Sequence, residues 1–128
     1  MLPLRWIPSL ALHVDEVDAQ HQYLFELYNR FQAGEGTLDR DGLLADLLGY
    51  AGSHFRDEEA LMLSIGYPSS EFAKHKRSHE EFVSRVGLLR ESPLWELLDY
   101  VREWLLRHIM SEDLRIAQFL KNSKTSVS

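Results

Sequence analysis

Four stretches of this 128-residue chain repeat their core-type residues at alternating intervals of three and four. The first runs Val17, His21, Leu24, Tyr28, Phe31. The second runs Leu44, Leu47, Ala51, His54, Glu58, Leu61, Ile65. The third runs Phe72, His75, His79, Phe82, Val86, and the fourth Leu94, Leu97, Val101, Trp104, His108. An α-helix turns about 100° per residue, so such spacing draws one stripe along one face. No strand-like alternation competes with it. Four amphipathic helices with short connections predict an all-α fold, an up-down-up-down antiparallel four-helix bundle.

Breaker residues divide the stretches. Gly34-Glu35-Gly36 ends the first, and Gly66-Tyr67-Pro68-Ser69-Ser70 ends the second. Ser92-Pro93 opens the fourth, read as a Ser N-cap with Pro at the first helical position. The expectation is one domain over 1–128. It has a short N-terminal arm (1–15), a short C-terminal helical extension and a polar tail at 121–128 that frays.

Composition removes several classes of function. There are no cysteines, which excludes disulfides, thiolate metal sites and Cys nucleophiles. Twenty acidic against 14 basic residues give a net charge of −6, a poor match to nucleic acid or an anionic membrane. No run of about 18 apolar residues suggests a membrane span. The start Met1-Leu-Pro-Leu-Arg-Trp-Ile-Pro lacks the long apolar core of a secretory signal. A cytoplasmic location is expected.

The seams are chemically unusual. Bundle interiors want aliphatic and aromatic residues, yet these stripes carry His21, His54, Glu58, His75, His79 and His108. A single core imidazole can be satisfied by a carbonyl or a Tyr. Five, with a carboxylate, on the inner faces of four helices need a common partner, because each unpaired buried polar group costs several kcal/mol. Metal is the economical answer. Residues i and i+4 differ by about 40° and about 6 Å of rise, so His75/His79 and His54/Glu58 can each converge on an ion. His75-Lys-Arg-Ser-His79 lacks the Glu of the helical zinc-protease motif.

In the last helix the apolar stripe shifts by one residue after His108 and resumes as Ile109, Asp113, Ile116, Leu120. Asp113 lies five residues beyond His108, about 140° away on an ideal helix. Either a π-type turn intervenes, or Asp113 reaches the site from another angle. With Glu58 as the only carboxylate two cations would be poorly neutralised, which favours Asp113 as a ligand over a solvated side chain.

These residues resemble the hemerythrin family, in particular bacterial single-domain hemerythrins. The matching pieces are Trp6, Asp18-Ala-Gln-His21, His54-Phe-Arg-Asp-Glu58-Glu-Ala-Leu-Met62, Gly66-Tyr-Pro68, His75-Lys-Arg-Ser-His79 and Trp104-Leu-Leu-Arg-His108-Ile-Met-Ser-Glu-Asp113. They run, in order, from near the N-terminus to about residue 120.

The resemblance implies a non-haem di-iron centre. His75, His79 and His108 would hold one iron, and His21 and His54 the other. Glu58 and Asp113 would bridge the two, with an oxo or hydroxo group between them. The two-His iron is then left with one open position, where dioxygen or a small anion such as azide would bind. The family pattern also assigns Leu24, Phe55, Trp104 and Ile109 to the pocket over that position. His13 falls outside the ligand set and is read as a surface or outer residue. Asp18 and Gln20 either orient His21, cap the helix or are simply solvated.

Reversible dioxygen binding for carriage, storage or delivery is the function this resemblance implies, without enzymatic turnover and with an oxygen-consuming enzyme as a possible partner. An oxygen or redox sensing module is an alternative, although the chain holds no output domain. A di-iron oxidase or peroxidase-like enzyme is another, although oxygen-activating bundles more often use a carboxylate-rich Glu-x-x-His set. A metal-free structural bundle does not account for the polar seams.

Overall fold

The computed structural model describes residues 3–33 and 40–126. An arm with one short turn at Pro8–Leu10 leads into α1 (Asp15–Ala33). There follow α2 (Arg40–Ser64), α3 (Ser69–Leu88) and α4 (Leu94–His108). A single π turn (Ile109–Asp113) carries α4 directly into α5 (Leu114–Ser126). Helix α1 packs on α2, α2 on α3, α3 on α4, and α4 back on α1, closing a four-helix ring. The expected bundle is present, and α5 is the C-terminal extension, helical into the stretch read as a tail. The Gly34-Glu35-Gly36 break lies outside the described residues.

Local chemistry sets the boundaries. Just past the end of α2 stands Gly66, whose φ of 72° lies where a side chain is strained. There Gly66 N–H bonds Leu63 O at 3.3 Å and Tyr67 N–H bonds Met62 O at 2.9 Å, a Schellman closure. Helix α3 follows Pro68, whose carbonyl accepts from Phe72 N–H at 2.8 Å. At α4 the boundary differs from the expectation. The capping position is Pro93, in extended conformation, and not Ser92. The Pro93 carbonyl accepts from Glu96 and Leu97 N–H, so the helix begins one residue later. Leu94, placed on the seam by its spacing, consequently lies at the exposed mouth of the helix.

The arm is tied down along its length. Leu4 N–H donates to Asn29 Oδ1 at 2.7 Å, and Asn29 Nδ2 donates back to Leu4 O at 2.9 Å. Asp18 accepts from Leu12 N–H at 2.8 Å and His13 N–H at 3.0 Å. His13 is exposed with a φ of 64°, so it shapes the turn into α1 from the surface.

Two apolar clusters make the core. One holds Leu24, Phe25, Tyr28, Phe31, Leu47, Phe55, Phe82, Val101, Leu105 and Ile109, among others. The other is smaller and centres on Leu12, Val17, Met62 and Ile116. Along every helix the switch from one cluster to the other falls at the His, Glu and Asp positions, so a polar layer separates them. That layer uses the start of α1 (His21), the end of α2 (His54, Glu58), the start of α3 (His75, His79) and the end of α4 (His108). Start, end, start, end at one level is the signature of alternating helix direction.

Candidate metal centre

All seven expected ligand residues meet in this layer, none more than 4% exposed. They form two groups of donor atoms that overlap at the carboxylates: Glu58, His75, His79, His108 and Asp113, and His21, His54, Glu58 and Asp113. Each carboxylate splits its oxygens between the groups. Glu58 Oε1 lies 2.6 Å from His75 Nε2, 3.1 Å from His79 Nε2 and 3.7 Å from His108 Nε2. Its Oε2 lies 3.3 Å from His54 Nε2 and 3.5 Å from His21 Nε2. Asp113 repeats the pattern. Oδ1 is 2.9 Å from His75 Nε2 and 3.0 Å from His108 Nε2, while Oδ2 is 3.0 Å from His21 Nε2.

Every imidazole of the layer turns Nε2 inward, and three are held by their outer nitrogens. His54 Nδ1 lies 2.7 Å from Gln20 Oε1, His79 Nδ1 lies 2.8 Å from Glu59 Oε2, and His108 Nδ1 lies 3.1 Å from Ser78 Oγ. The Gln20 and Glu59 oxygens accept at Nδ1, which places the ring proton of His54 and His79 there and leaves Nε2 with its lone pair, the tautomer a metal ligand needs. Gln20 therefore serves His54 across the α1–α2 boundary, not its chain neighbour His21. Glu59 and Ser78 went unnoticed in the sequence, because a polar residue beside a ligand reads as solvated surface. The one available signal was their place on the flank of the His stripe.

Protons alone leave this layer poorly satisfied. Both ring nitrogens of His21, Glu58 Oε2 and both Asp113 oxygens lie buried without a hydrogen-bond partner, although nitrogens and oxygens crowd around them. His79 Nε2 and His108 Nε2 face each other at 3.1 Å, where two imidazoles can share at most one proton. Donor atoms that converge on a common space, with more of them than the hydrogen bonds among them can satisfy, fit a cation.

The charges respond in the same sense. Burial opposes a charge on His21 and His75, but Asp113 and Glu58 outweigh it and hold their pKa values up at about 9 and about 10. His108 is raised too: burial works against it, and Asp113 overcomes that. Burial would raise Glu58, yet the imidazoles of His108, His21, His54 and His75 pull it well below the usual carboxylate range. Asp113 is lowered likewise, against burial and the repulsion of Glu58, chiefly by His108. Without metal, imidazolium protons stand where cations would.

Residues 12–120 match the Hemerythrin HHE cation binding domain. The chain belongs to the hemerythrin family. It is 32% identical to a bacteriohemerythrin of Stenotrophomonas maltophilia, over 94% of this chain and 84% of that protein. It is 31% identical to a myohemerythrin of Riftia pachyptila, over 88% and 90% of the two chains. A myohemerythrin of Phascolopsis gouldii shares 29%, over 88% and 91%.

In this hemerythrin chain the four expected pocket residues all fall on one side of the polar layer, in or against the larger cluster. Leu24, Phe55 and Ile109 are buried, and Trp104 is half-buried. Two of them sit tighter on the three-His group than the family pattern alone suggests. Phe55 stacks on His79 at 4.0 Å between ring centres, and Trp104 stacks on His108 at 4.3 Å. Phe55 is also 5.7 Å from the His54 ring. The arm supplies a neighbour to the two-His group that the pocket reading left out. Trp6 lies 6.1 Å from His21 and edge-on to Phe25 at 5.6 Å. Among the described residues, no helix is long and apolar enough to cross a membrane.

Proposed function

We propose that this chain binds dioxygen reversibly at a non-haem di-iron centre, for carriage, storage or delivery. The observation that carries it is the division of oxygens: Glu58 and Asp113 each turn one oxygen to a three-His group and the other to a two-His group. In this reading His75, His79 and His108 hold one iron, and His21 and His54 the other. Glu58 and Asp113 would bridge them, with an oxo or hydroxo group completing the bridge. Neutral imidazoles with two carboxylates suit iron better than magnesium or calcium.

When bound, the ferrous pair supplies the electrons that make dioxygen binding possible. The chain's residues do the rest. With only His21 and His54 as imidazoles, the second iron would keep one position for dioxygen, and a small anion such as azide would compete for it. Leu24, Phe55, Trp104 and Ile109 keep water away and offer no acidic proton, which favours release of dioxygen unchanged over turnover. A non-enzymatic role, a cytoplasmic location and an oxygen-consuming partner enzyme belong to the same reading.

Iron analysis and oxygen-dependent absorbance test it together. Two irons per chain and a visible band that appears with oxygen and fades on its removal are expected. One zinc and no iron after iron-replete expression overturns it.

A further inference from the structure

The five imidazoles differ in what holds their outer nitrogens. His79 is bonded to a carboxylate, that of Glu59, at 2.8 Å. His54 is bonded to the Gln20 amide at 2.7 Å and His108 to the Ser78 hydroxyl at 3.1 Å. The amide cannot be turned round. Gln20 Nε2 donates to Asp57 Oδ2 at 2.9 Å, which leaves Oε1 as the acceptor for His54. The charge of Asp57 is therefore one residue removed from the ring. Among these three contacts only Glu59 places a formal charge directly on an imidazole, and it does so on the three-His side.

We propose that Glu59 is the positioning residue that makes the three-His position the tighter of the two metal positions, with the neutral Gln20 leaving the His54 position weaker. A carboxylate at Nδ1–H fixes the tautomer and pushes electron density through the ring onto Nε2, strengthening it as a donor. Phe55 stacked at 4.0 Å covers one face of the His79 ring, so the ring is held on its face and at its outer nitrogen. The Glu59 side chain is 20% exposed. It lies in a groove between α2 and α3 that also exposes Arg56 and Lys76. Each shared carboxylate turns one oxygen to either position, so neither adds a charge to one side alone; the sides differ by the extra imidazole and by Glu59. The first is fixed by the ligand count. The second can be changed without touching a ligand.

The inference rests on the two-metal reading above, but its test needs no oxygen chemistry. The metal-free full-length chain is titrated calorimetrically with Zn²⁺, and with Co²⁺ followed by its visible absorbance. The wild type is expected to take up two equivalents of separated affinity. Glu59→Gln keeps the shape and removes the charge. It should weaken the first equivalent about 10–100-fold and leave the second in place. Gln20→Glu, made together with Asp57→Asn so that the new carboxylate still meets a donor in place of a second carboxylate, should strengthen the second equivalent and narrow the gap. A purely structural role for Glu59 would instead lower the Tm of the metal-free chain and leave the gap between equivalents unchanged. Affinities of Glu59→Gln that match wild type, or that fall equally at both equivalents, overturn the proposal. Should Glu59→Gln not fold, the Gln20→Glu/Asp57→Asn pair decides alone, and an unchanged second equivalent is fatal. Fewer than two equivalents in the wild type sinks the two-metal reading and this inference with it.

Discussion

His108 Nε2 and Asp113 Oδ1 lie 3.0 Å apart although five residues separate them on one continuous helix. An α-helix would splay the pair by about 140°. The π turn at Ile109–Asp113 adds one residue to the turn and brings the two back in line. Leu114 N–H reaches back five residues to Ile109 O, and the Ser111 hydroxyl donates to Arg107 O at 2.6 Å within the distorted stretch. A π turn stacks i and i+5 much as an α turn stacks His75 over His79. It serves the second shared carboxylate while Ile116 stays in the core beyond it.

Because Asp113 faces both groups, its loss should differ from loss of an unshared ligand. Asp113→Asn is expected to weaken both cation equivalents. His54→Ala is expected to remove one equivalent, end reversible oxygenation and leave the other cation in place. Iron per chain, measured on both variants, checks the difference. Asp113→Asn also strips the metal-free chain of a partner for buried imidazoliums, a loss of about 3–5 kcal/mol in urea unfolding.

Metal-free and iron-loaded chains should respond oppositely to pH. In the metal-free chain His21 and His75 have pKa values raised to about 9 and about 10. A raised pKa stabilises fully below the unfolded value near 6.5, and that stability drains away as pH rises through the folded values. The depressed Glu58 and Asp113 add stability that is fully present above their ordinary values of about 4 and drains away as pH falls through the folded ones. In the loaded chain the imidazoles must be neutral, so acid competes with iron and stability falls as pH drops through about 6. Urea midpoints between about pH 5.5 and pH 9.5 should slope downward for the metal-free chain and upward for the loaded one. Parallel slopes would show that the metal is not held by these imidazoles.

Opening the apolar lid should let water reach the iron. Leu24→Ala and Trp104→Ala are expected to speed conversion of the oxygenated form to the oxygen-inert ferric form, read as decay of the oxygen-dependent band. Leu24→Ala also costs about 2–5 kcal/mol as a core truncation. Stability loss with unchanged decay in both variants would place the pocket elsewhere.

Azide should bind the iron held by His21 and His54, since only that position is short of imidazoles. A crystal structure of the azide complex reads this directly. Azide on the His75, His79 and His108 iron would refute the coordination count.

Asp18 is expected to matter through the arm and not through the metal. Asp18→Ala leaves Leu12 and His13 N–H without their acceptor and should cost about 1–3 kcal/mol. Iron content should be unchanged, as elemental analysis would show.

The sequence determined the helices, their inner faces and the seven polar positions on them, because a 3.6-residue period turns spacing into direction. His21, His54, His75, His79 and His108 stood out since imidazoles on a bundle seam need a shared partner. It also narrowed the His108–Asp113 problem to two solutions, and the π turn is one of them. Tertiary structure decided what spacing along one helix cannot carry. Which oxygen of Glu58 meets which ring depends on how α1 and α3 sit beside α2. Gln20 reaching His54, Glu59 reaching His79 and Ser78 reaching His108 are contacts between helices, and Trp6 folding back beside His21 is one between the arm and α1. Periodicity fixes the angle of a side chain about its own axis. Only packing fixes how far one axis is shifted against the next, and a few ångströms of that shift separate a solvated Glu59 from one bonded to a ligand ring.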